Sequence, residues 1–333
     1  MENKNKGYKK RKVLYVARGI CIFLFFITFS FASMIYGVTS SMYKDLNVSE
    51  DAVDLENSVY KKTNYNFLLV GADESGSRTD TMLVGSYNTK GNILSIISIP
   101  RDTHIVMPEE RRNILTEAGY YVPSSGEMKM TEISHYANEY GLSFLQAQLE
   151  ELLGIDIDFY VKINTEAFRY IIDSMGGVEF YVPQRMYYMD PVQNLSIDLY
   201  EGLQILDGKG AEGLVRYRKA DLNNPISEGY ARGDLDRIQV QQDFLSACLE
   251  QFLTLGNIDK TIPVLLKAVS SYIETNFNIG EIYKFLPMVS GFDINNLNMY
   301  TLPNEESYIN GKSYVLPIEE ELKELVSKAF YNM

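Results

Sequence analysis

An uninterrupted apolar stretch near the N-terminus constrains this chain more than any other feature of its sequence. Residues 19–38 read GICIFLFFITFSFASMIYGV and carry no charged side chain. As an α-helix, a stretch of this length rises by about 30 Å, which matches the hydrocarbon core of a bilayer. The sequence therefore predicts a transmembrane helix over residues 19–38. A cleaved signal peptide is the alternative, and the length of the apolar run argues against it.

Charge is distributed unevenly around this stretch. Residues 1–18 hold seven lysines and arginines and a single acidic residue, Glu2, whereas residues 39–57 are mainly polar and acidic. The positive-inside rule thus places the N-terminus in the cytoplasm. We expect a basic cytoplasmic tail (1–18), the transmembrane helix (19–38), a stalk (39–62) and an extracellular domain (63–333), in a protein that crosses the cell membrane once.

The composition beyond the tail is that of an acidic globular protein. Of the 333 residues, 46% are hydrophobic and 23% are charged, and the net charge is −13 although the tail is basic. An acidic body argues against a general nucleic-acid binder, which needs a basic face. The predicted extracellular part has one cysteine, Cys248, so it cannot form an internal disulfide.

Apolar runs separated by turn residues predict the secondary structure. Residues 65–71, 81–87 and 92–99 have the β-branched and aliphatic composition of adjacent strands, with a hairpin turn over 88–92. Residues 158–183 read as a strand, a helix and a strand. Further helices are expected over 131–141, 143–154, 208–219, 236–255, 258–276, 279–293 and 317–333, and a strand over 297–303. The predicted fold class is α/β, with a central mixed β-sheet flanked by helices on both faces.

Arginines with acidic neighbours recur where these predicted elements begin or end. Charges at the ends of neighbouring strands meet in space, and that edge of an open α/β sheet is where ligands bind. Converging guanidinium groups favour a phosphate ligand, because their planar donors match phosphate oxygens. For any single pair the alternative is a solvated ion pair. The four clusters are Asp73, Arg78 and Asp80; Arg101 and Asp102; Arg216, Arg218 and Asp221; and Arg232, Asp234, Asp236, Arg237, Gln241 and Gln242.

In two of these clusters, the sequence spacing indicates which side chains can point in the same direction. Arg216 and Arg218 flank Tyr217, so they would face one partner in an extended stretch but not on a helix. Arg237 and Gln241 are four residues apart. On a helix they share one face.

Two carboxylates, Asp73 and Asp80, bracket a loop that contains serine and glycine. Mg²⁺ or Mn²⁺ is commonly held by one or two carboxylates together with substrate phosphate oxygens, so this pair suits a metal that bridges to phosphate. The alternative is a turn in which the aspartates accept backbone N–H groups. The loop lacks the pattern of a P-loop.

Other chemistries have little support in the sequence. His104 and His135 are the only histidines, too few for a histidine-rich zinc site, and no G-x-S-x-G segment nominates a serine nucleophile. We expect a structural role for His104, a core position for Cys248, and a helix stop at Gly176 and Gly177.

These stretches together resemble the LytR-CpsA-Psr family, the wall-polymer ligases of Gram-positive bacteria. The resemblance lies in NFLLVGAD, RTDTMLV, SIPRDT, FYVKIN, DSMGGVEFYVP, LVRYRKAD and DLDRIQVQQ, in this order over roughly residues 65–255. It implies a membrane-anchored, Mg²⁺-dependent phosphotransferase. Such an enzyme moves an anionic glycopolymer, either a teichoic acid or a capsular or secondary polysaccharide, from a polyprenyl pyrophosphate to a peptidoglycan hydroxyl group. The products are a phosphodiester and polyprenyl phosphate.

The resemblance also implies roles for individual residues. Asp73 and Asp80 correspond to the metal-associated aspartates, and Arg101, Asp80 and Asp102 are the candidate catalytic residues, with either aspartate able to orient or deprotonate the acceptor. An apolar tunnel between sheet and helices is implied for the lipid tail. Val240 stands where the family often has an arginine. The residues implied to bind pyrophosphate are Arg78, Arg101, Arg216, Arg218, Arg237 and Gln241.

Two other functions are compatible with the same residues. A pyrophosphohydrolase would transfer the lipid-linked phosphate to water, using the same arginines and metal. A non-catalytic membrane regulator would bind a wall precursor or a partner without reaction. The partners expected from the sequence are a lipid-linked glycopolymer, peptidoglycan and the cytoplasmic membrane, and no nucleic acid.

Overall fold

The computed structural model describes residues 62–73, 79–136, 138–221, 226–254, 273–276 and 293–331. Within these ranges no helix has both the length and the apolar composition to cross a bilayer. The basic tail, the predicted transmembrane helix and the stalk up to residue 61 lie outside the described residues, and so does Arg78.

Fourteen strands and six α-helices are present in the described part of the chain. The strands are β1 (Asn64–Ala72), β2 (Thr79–Asn88), β3 (Ile93–Ile99), β4 (His104–Val106), β5 (Glu127–Lys129), β6 (Phe159–Asn164), β7 (Val178–Val182), β8 (Met186–Asp190), β9 (Leu195–Leu199), β10 (Gly202–Leu206), β11 (Ile273–Thr275), β12 (Leu297–Thr301), β13 (Asn304–Ile309) and β14 (Lys312–Pro317). The helices are α1 (Glu109–Glu117), α2 (Asn138–Leu153), α3 (Thr165–Ser174), α4 (Gly208–Arg216), α5 (Asp234–Thr254) and α6 (Glu319–Val326).

A six-stranded mixed sheet forms the centre, in the order β11-β6-β1-β2-β3-β12. The pairs β1–β6 and β3–β12 are parallel, and the other neighbours are antiparallel. The β2–β3 connection is the hairpin predicted over 88–92. β1 and β2 run in opposite directions, as do β2 and β3. The C-terminal ends of β1 and β3 therefore lie beside the N-terminal end of β2, at one end of the sheet.

Apolar side chains on both faces of the sheet build two cores, as the fold prediction requires. Along β2, Met82 and Val84 point to one face and Leu83 to the other, because successive side chains of a strand alternate. Helices α3, α4 and α5 pack on the Leu83 face. Helices α2 and α6 pack on the opposite face.

Local signals explain helix α3. The side chain of Asn164 accepts a hydrogen bond from the N–H of Ala167 and caps its first turn. Gly176 and Gly177 follow with φ angles of 81° and 86°, the left-handed conformation that glycine adopts without strain. The predicted helix stop is therefore confirmed.

The prediction of one helix over 131–141 that ends at Gly141 is wrong. Residues Met130–His135 form a 3₁₀ helix, and α2 then runs from Asn138 through Gly141 to Leu153. A Cβ atom at Gly141 would lie 2.8 Å from the carbonyl oxygen of Tyr136. This glycine therefore permits close packing inside a helix and does not end one.

The end of the helix predicted over 258–276 is also wrong. Residues Ile273–Thr275 form strand β11 at the edge of the sheet, and the Lys162 and Glu274 side chains form an ion pair at 3.2 Å across it. Residues 258–272 and most of the helix predicted over 279–293 lie outside the described residues. The helix predicted over 317–333 begins at Glu319.

Gly85 provides a test of the packing on the face of the sheet that contacts α3, α4 and α5. A Cβ atom at this position would overlap the ring of Phe67, which lies across it from β1. We expect Gly85→Ala to lower the free energy of unfolding of the full-length chain by about 1–3 kcal/mol, because the ring must move in a packed layer. Urea unfolding followed by circular dichroism measures this change.

Gly213→Ala is the matched control. Its Cβ atom would make only an ordinary contact of 3.4 Å with Ile197, within helix α4, so the substitution should be neutral or slightly stabilising. Equal stability of Gly85→Ala and the unchanged chain would contradict the packing described here.

Candidate active site

A cavity of about 360 Å³ lies between the sheet and helices α3, α4 and α5. The residues of α5 that line it are polar near the start of the helix and apolar further along. Arg237 and Gln241 on the first turns are polar, whereas Phe244, Leu245 and Cys248 further along are apolar. From Arg237 to Cys248 a helix rises by about 16 Å, so the cavity is elongated, with a charged end and an apolar end.

The sheet topology brings together the charged residues at one end of the cavity. Asp73 follows β1, Asp80 lies near the start of β2, and Arg101 follows β3, all at the same edge of the sheet. Pro100 ends β3 at this point, because proline has no N–H group for the ladder. Arg216 from the end of α4 and Arg237 from the first turn of α5 also line the cavity.

Arg101 joins two carboxylates. Its Nη1 donates to Asp80 Oδ1 at 2.6 Å, and its Nε lies 3.9 Å from Asp234 Oδ1. Burial alone would lower the pKa of Arg101, but the two carboxylates outweigh burial and raise it. Burial would likewise raise the pKa of Asp80, yet the nearby guanidinium charges, Arg101 first, hold that pKa below its ordinary value. Asp80 is therefore ionised at neutral pH.

Among the described residues of the site, Arg237 is the most deeply buried cation, with 5% of its surface exposed. Burial lowers its pKa despite an ion pair with Asp234, and the like charges of Arg101 and Arg218 act in the same direction as burial. Nη2 is the atom that pairs with Asp234, whereas the buried Nε has no hydrogen-bond acceptor among the described residues. A buried guanidinium group with an unused donor at a cavity wall is suited to an anionic ligand.

The backbone between Arg216 and Arg218 is extended, which is the arrangement in which the two side chains can face one partner. Helix α4 ends at Arg216, and Tyr217 has an extended backbone and a buried side chain. Both arginines line the cavity. Arg216 donates to Glu212 and Gln193. The Arg218 carbonyl group accepts a hydrogen bond from the N–H of Tyr230, but its side chain has no hydrogen bond or ion pair with any described residue.

The apolar part of the cavity lining accounts for two sequence observations. Burial raises the pKa of the Cys248 thiol, so this cysteine is an unreactive part of the core, as expected. Val240 is also buried in the core on this side of the sheet. The apolar lining residues are Leu69, Leu83, Ile163, Phe168, Ile171, Leu195, Val215, Phe244, Leu245 and Met299.

Asp102 and His104 lie apart from the lining. The Asp102 carboxylate accepts a hydrogen bond from Lys129 Nζ at 3.1 Å and is not part of the cavity wall. His104 packs edge-on against Tyr314, with ring centroids 5.0 Å apart. Of the two aspartates considered for the acceptor hydroxyl group, the structure brings only Asp80 to the cavity.

Asp73 and Asp80 fit a metal that depends on its substrate for further ligands. Both line the charged end of the cavity, and Asp80 Oδ2 is not used in the bond to Arg101. No group of three or more histidine, cysteine, aspartate or glutamate side chains suited to a metal occurs within the described ranges. A cation here would therefore take its remaining ligands from phosphate and water.

Sequence reasoning missed several polar lining residues, among them Tyr188, Gln193 and Glu212. Glu212 precedes Arg216 by four residues on α4 and bonds to it. That spacing was the available signal. Gln193 lies on the β8–β9 hairpin, which no pattern in the sequence predicted.

The sequence matches the LytR_cpsA_psr family over residues 30–330. TagU from Bacillus subtilis (strain 168), a polyisoprenyl-teichoic acid–peptidoglycan teichoic acid transferase, is 25% identical over 342 residues, covering 98% of this chain and 100% of TagU. The crystal structure of B. subtilis TagV has a TM-score of 0.62 at 22% identity, with 82% of this chain and 99% of TagV covered. A structure of TagT bound to LI-WTA has a TM-score of 0.57 at 23% identity, with 80% and 90% covered. These likenesses show a shared fold.

The lowered pKa of Asp80 predicts how stability depends on pH. Its charge stabilises the folded chain above the ordinary value of 3.8, and this contribution is lost as pH falls through the lower, folded-state pKa. The unfolding free energy of the unchanged chain should exceed that of Asp80→Asn by a constant amount from about pH 5 to 7. Below pH 3.8 the difference should shrink, as measured by urea unfolding.

Asp198→Asn serves as the control for this series. Asp198 pairs with Arg185 outside the cavity, and its side chain is 55% exposed, so its removal should change stability little. A difference for Asp80→Asn that grows as the pH falls would contradict the described electrostatics.

Proposed function

Because the chain belongs to the LytR-CpsA-Psr family, we propose that it transfers an anionic glycopolymer of the teichoic acid class from polyprenyl pyrophosphate to a hydroxyl group of peptidoglycan. The names of relatives such as TagU support this substrate class. In the transfer, the acceptor oxygen bonds to the phosphorus that carries the glycopolymer. The bond from that phosphorus to the bridging oxygen breaks, polyprenyl phosphate leaves, and the hydroxyl proton is released.

The observation that carries this proposal is the joining of a cation cluster to an apolar cavity. Arg101, Arg216, Arg218 and Arg237 line one end, and aliphatic and aromatic side chains line much of the remainder. A ligand that satisfies both parts has a highly charged head and a long apolar tail. A polyprenyl pyrophosphate has this character.

The arginines supply electrostatic stabilisation of the reacting groups. A pyrophosphate carries about two negative charges, and charge is redistributed onto the transferring and leaving oxygens during phosphoryl transfer. Guanidinium groups fixed in a partly buried site stabilise this charge without reorganising. Arg237, whose buried Nε has no acceptor among the described residues, and Arg218, whose side chain has no hydrogen bond or ion pair there, are the two best placed to bind phosphate oxygens.

We assign Asp80 to orient the acceptor hydroxyl group. It lines the cavity, and its lowered pKa keeps it ionised. A carboxylate of low pKa is a weak base, but a loose phosphoryl-transfer transition state places little demand on removal of the nucleophile's proton. Asp102 acts at a distance in this assignment, through its pairing with Lys129 and its charge beside Arg101.

Asp73 and Asp80 are the residues proposed to hold Mg²⁺ or Mn²⁺. When bound, such an ion neutralises phosphate charge and helps to orient the substrate. The membrane location is likewise proposed from the apolar stretch at 19–38. A tethered domain would remain close to a lipid carrier that does not leave the bilayer.

Transfer by the full-length chain tests the proposal. We expect incubation with a lipid-pyrophosphate-linked glycopolymer and peptidoglycan oligomers to yield polymer attached through a phosphodiester. Arg101→Ala should lower the rate by about 10²–10³, the loss found when one charge-stabilising donor is removed. Arg185→Ala is the control, since Arg185 pairs with Asp198 away from the cavity, and its rate should be unchanged.

Two results would point to the other functions. Release of phosphate that is independent of acceptor, with no attached product, would indicate a pyrophosphohydrolase. Normal polymer attachment in cells carrying a stable Arg101→Ala protein would favour a non-catalytic binding role. Either result would contradict the proposed transfer.

Metal removal tests the role of the two aspartates. Chelation by EDTA should abolish transfer and added Mg²⁺ should restore it, while Asp73→Ala should raise the Mg²⁺ concentration needed for half-maximal rate, because one carboxylate ligand is lost. Asp198→Ala, an exposed carboxylate away from the cavity, should leave that concentration unchanged. Full activity after chelation would contradict the metal assignment.

A further inference from the structure

Glu212 is a carboxylate in an unusual position. It lies on α4, lines the cavity and has only 2% of its surface exposed. A buried carboxylate is costly unless charged or polar groups satisfy it. It also lies in a site proposed to bind an anion, where a further negative charge has to be offset.

Two arginines satisfy this carboxylate, one on each oxygen. Oε2 accepts from Nε of Arg169 on α3, and Oε1 accepts from Nη1 of Arg216 at 2.6 Å. The carboxylate therefore links α3 to the end of α4. Its charge is offset by two cations, so the three groups together remain positive.

The contacts of Arg216 define its orientation. Besides the bond to Glu212, its Nη2 donates to Oε1 of Gln193 at 2.8 Å. Acceptors at two terminal nitrogens fix the plane of a guanidinium group, because its donors have a rigid planar arrangement. Arg218 has no such contacts with described residues, so the two neighbouring arginines differ in how firmly they are held.

We infer that Glu212 is a positioning residue, which orients Arg216 toward the pyrophosphate while Arg169 neutralises its second oxygen. This inference rests on the proposed function, since it assigns Arg216 to that ligand. Glu212 makes no contact with substrate in this arrangement. Its effect on substrate binding passes through Arg216.

Binding of geranylgeranyl pyrophosphate to the full-length chain in detergent, measured by isothermal titration calorimetry, tests the inference. Glu212→Gln should weaken binding about tenfold, because a charge-assisted bond that orients Arg216 is lost. Arg216→Lys should also weaken binding, and the double variant should bind no more weakly than Arg216→Lys alone, since both changes remove one interaction. Glu110→Gln, an exposed glutamate of α1, is the matched control and should bind normally.

The possible results distinguish failure of the proposed function from failure of the role assigned to Glu212. No pyrophosphate binding by the unchanged chain would overturn the proposed function and this inference with it. Binding by the unchanged chain and by Glu212→Gln with equal affinity, or losses that add in the double variant, would overturn only the role of Glu212. If Glu212→Gln shows no cooperative thermal transition, Glu212→Asp replaces it. Aspartate keeps the charge but is shorter, so the same weakening and non-additivity are expected, and normal binding would overturn the inference.

Discussion

The structure depends on placing several guanidinium groups close together beside a cavity. The pKa of Arg237 is lowered mainly by burial and further by the like charges of Arg101 and Arg218. Asp80 and Asp234 offset part of this charge, and Glu212 fixes Arg216 nearby. The result is a local positive site in a chain whose net charge is −13. Such a site gains most from an anionic ligand, because unused buried donors are otherwise costly.

The apolar part of the cavity suits this site to an amphiphilic ligand. Phe244, Leu245 and Cys248 continue the wall that Arg237 and Gln241 begin on α5, so one helix carries both the head-group and tail surfaces. Gln242, on the same helix, donates to Ser98 and to the carbonyl group of Tyr300 and thereby attaches α5 to β3 and β12. The relative position of charge and tail surface is thus set by the packing of a single helix on the sheet.

Much of this arrangement could be predicted from sequence. Runs of β-branched and aliphatic residues between turn residues identified β1–β3, and the Asn164 cap and the Gly176–Gly177 stop identified α3. The arginines were found because they recur at element ends, which the sheet then brings to one edge. The prediction failed at Gly141, where the close approach of the Tyr136 carbonyl oxygen, five residues earlier in the chain, requires a glycine inside the helix. It also missed Glu212 and Gln193, since their value depends on which side chains they meet across the fold. Asp102 shows the same limit: its neighbour Arg101 faces the cavity, while Asp102 pairs with Lys129.

Native mass spectrometry of the full-length chain purified from Gram-positive membranes tests most directly whether the cavity binds a lipid-linked pyrophosphate. We expect a bound mass that corresponds to a polyprenyl phosphate or pyrophosphate, and loss of that mass in Arg237→Ala but not in Arg185→Ala. A chain that carries no such lipid, or an Arg237→Ala variant that retains it fully, would contradict the claim that the cavity binds a lipid-linked pyrophosphate.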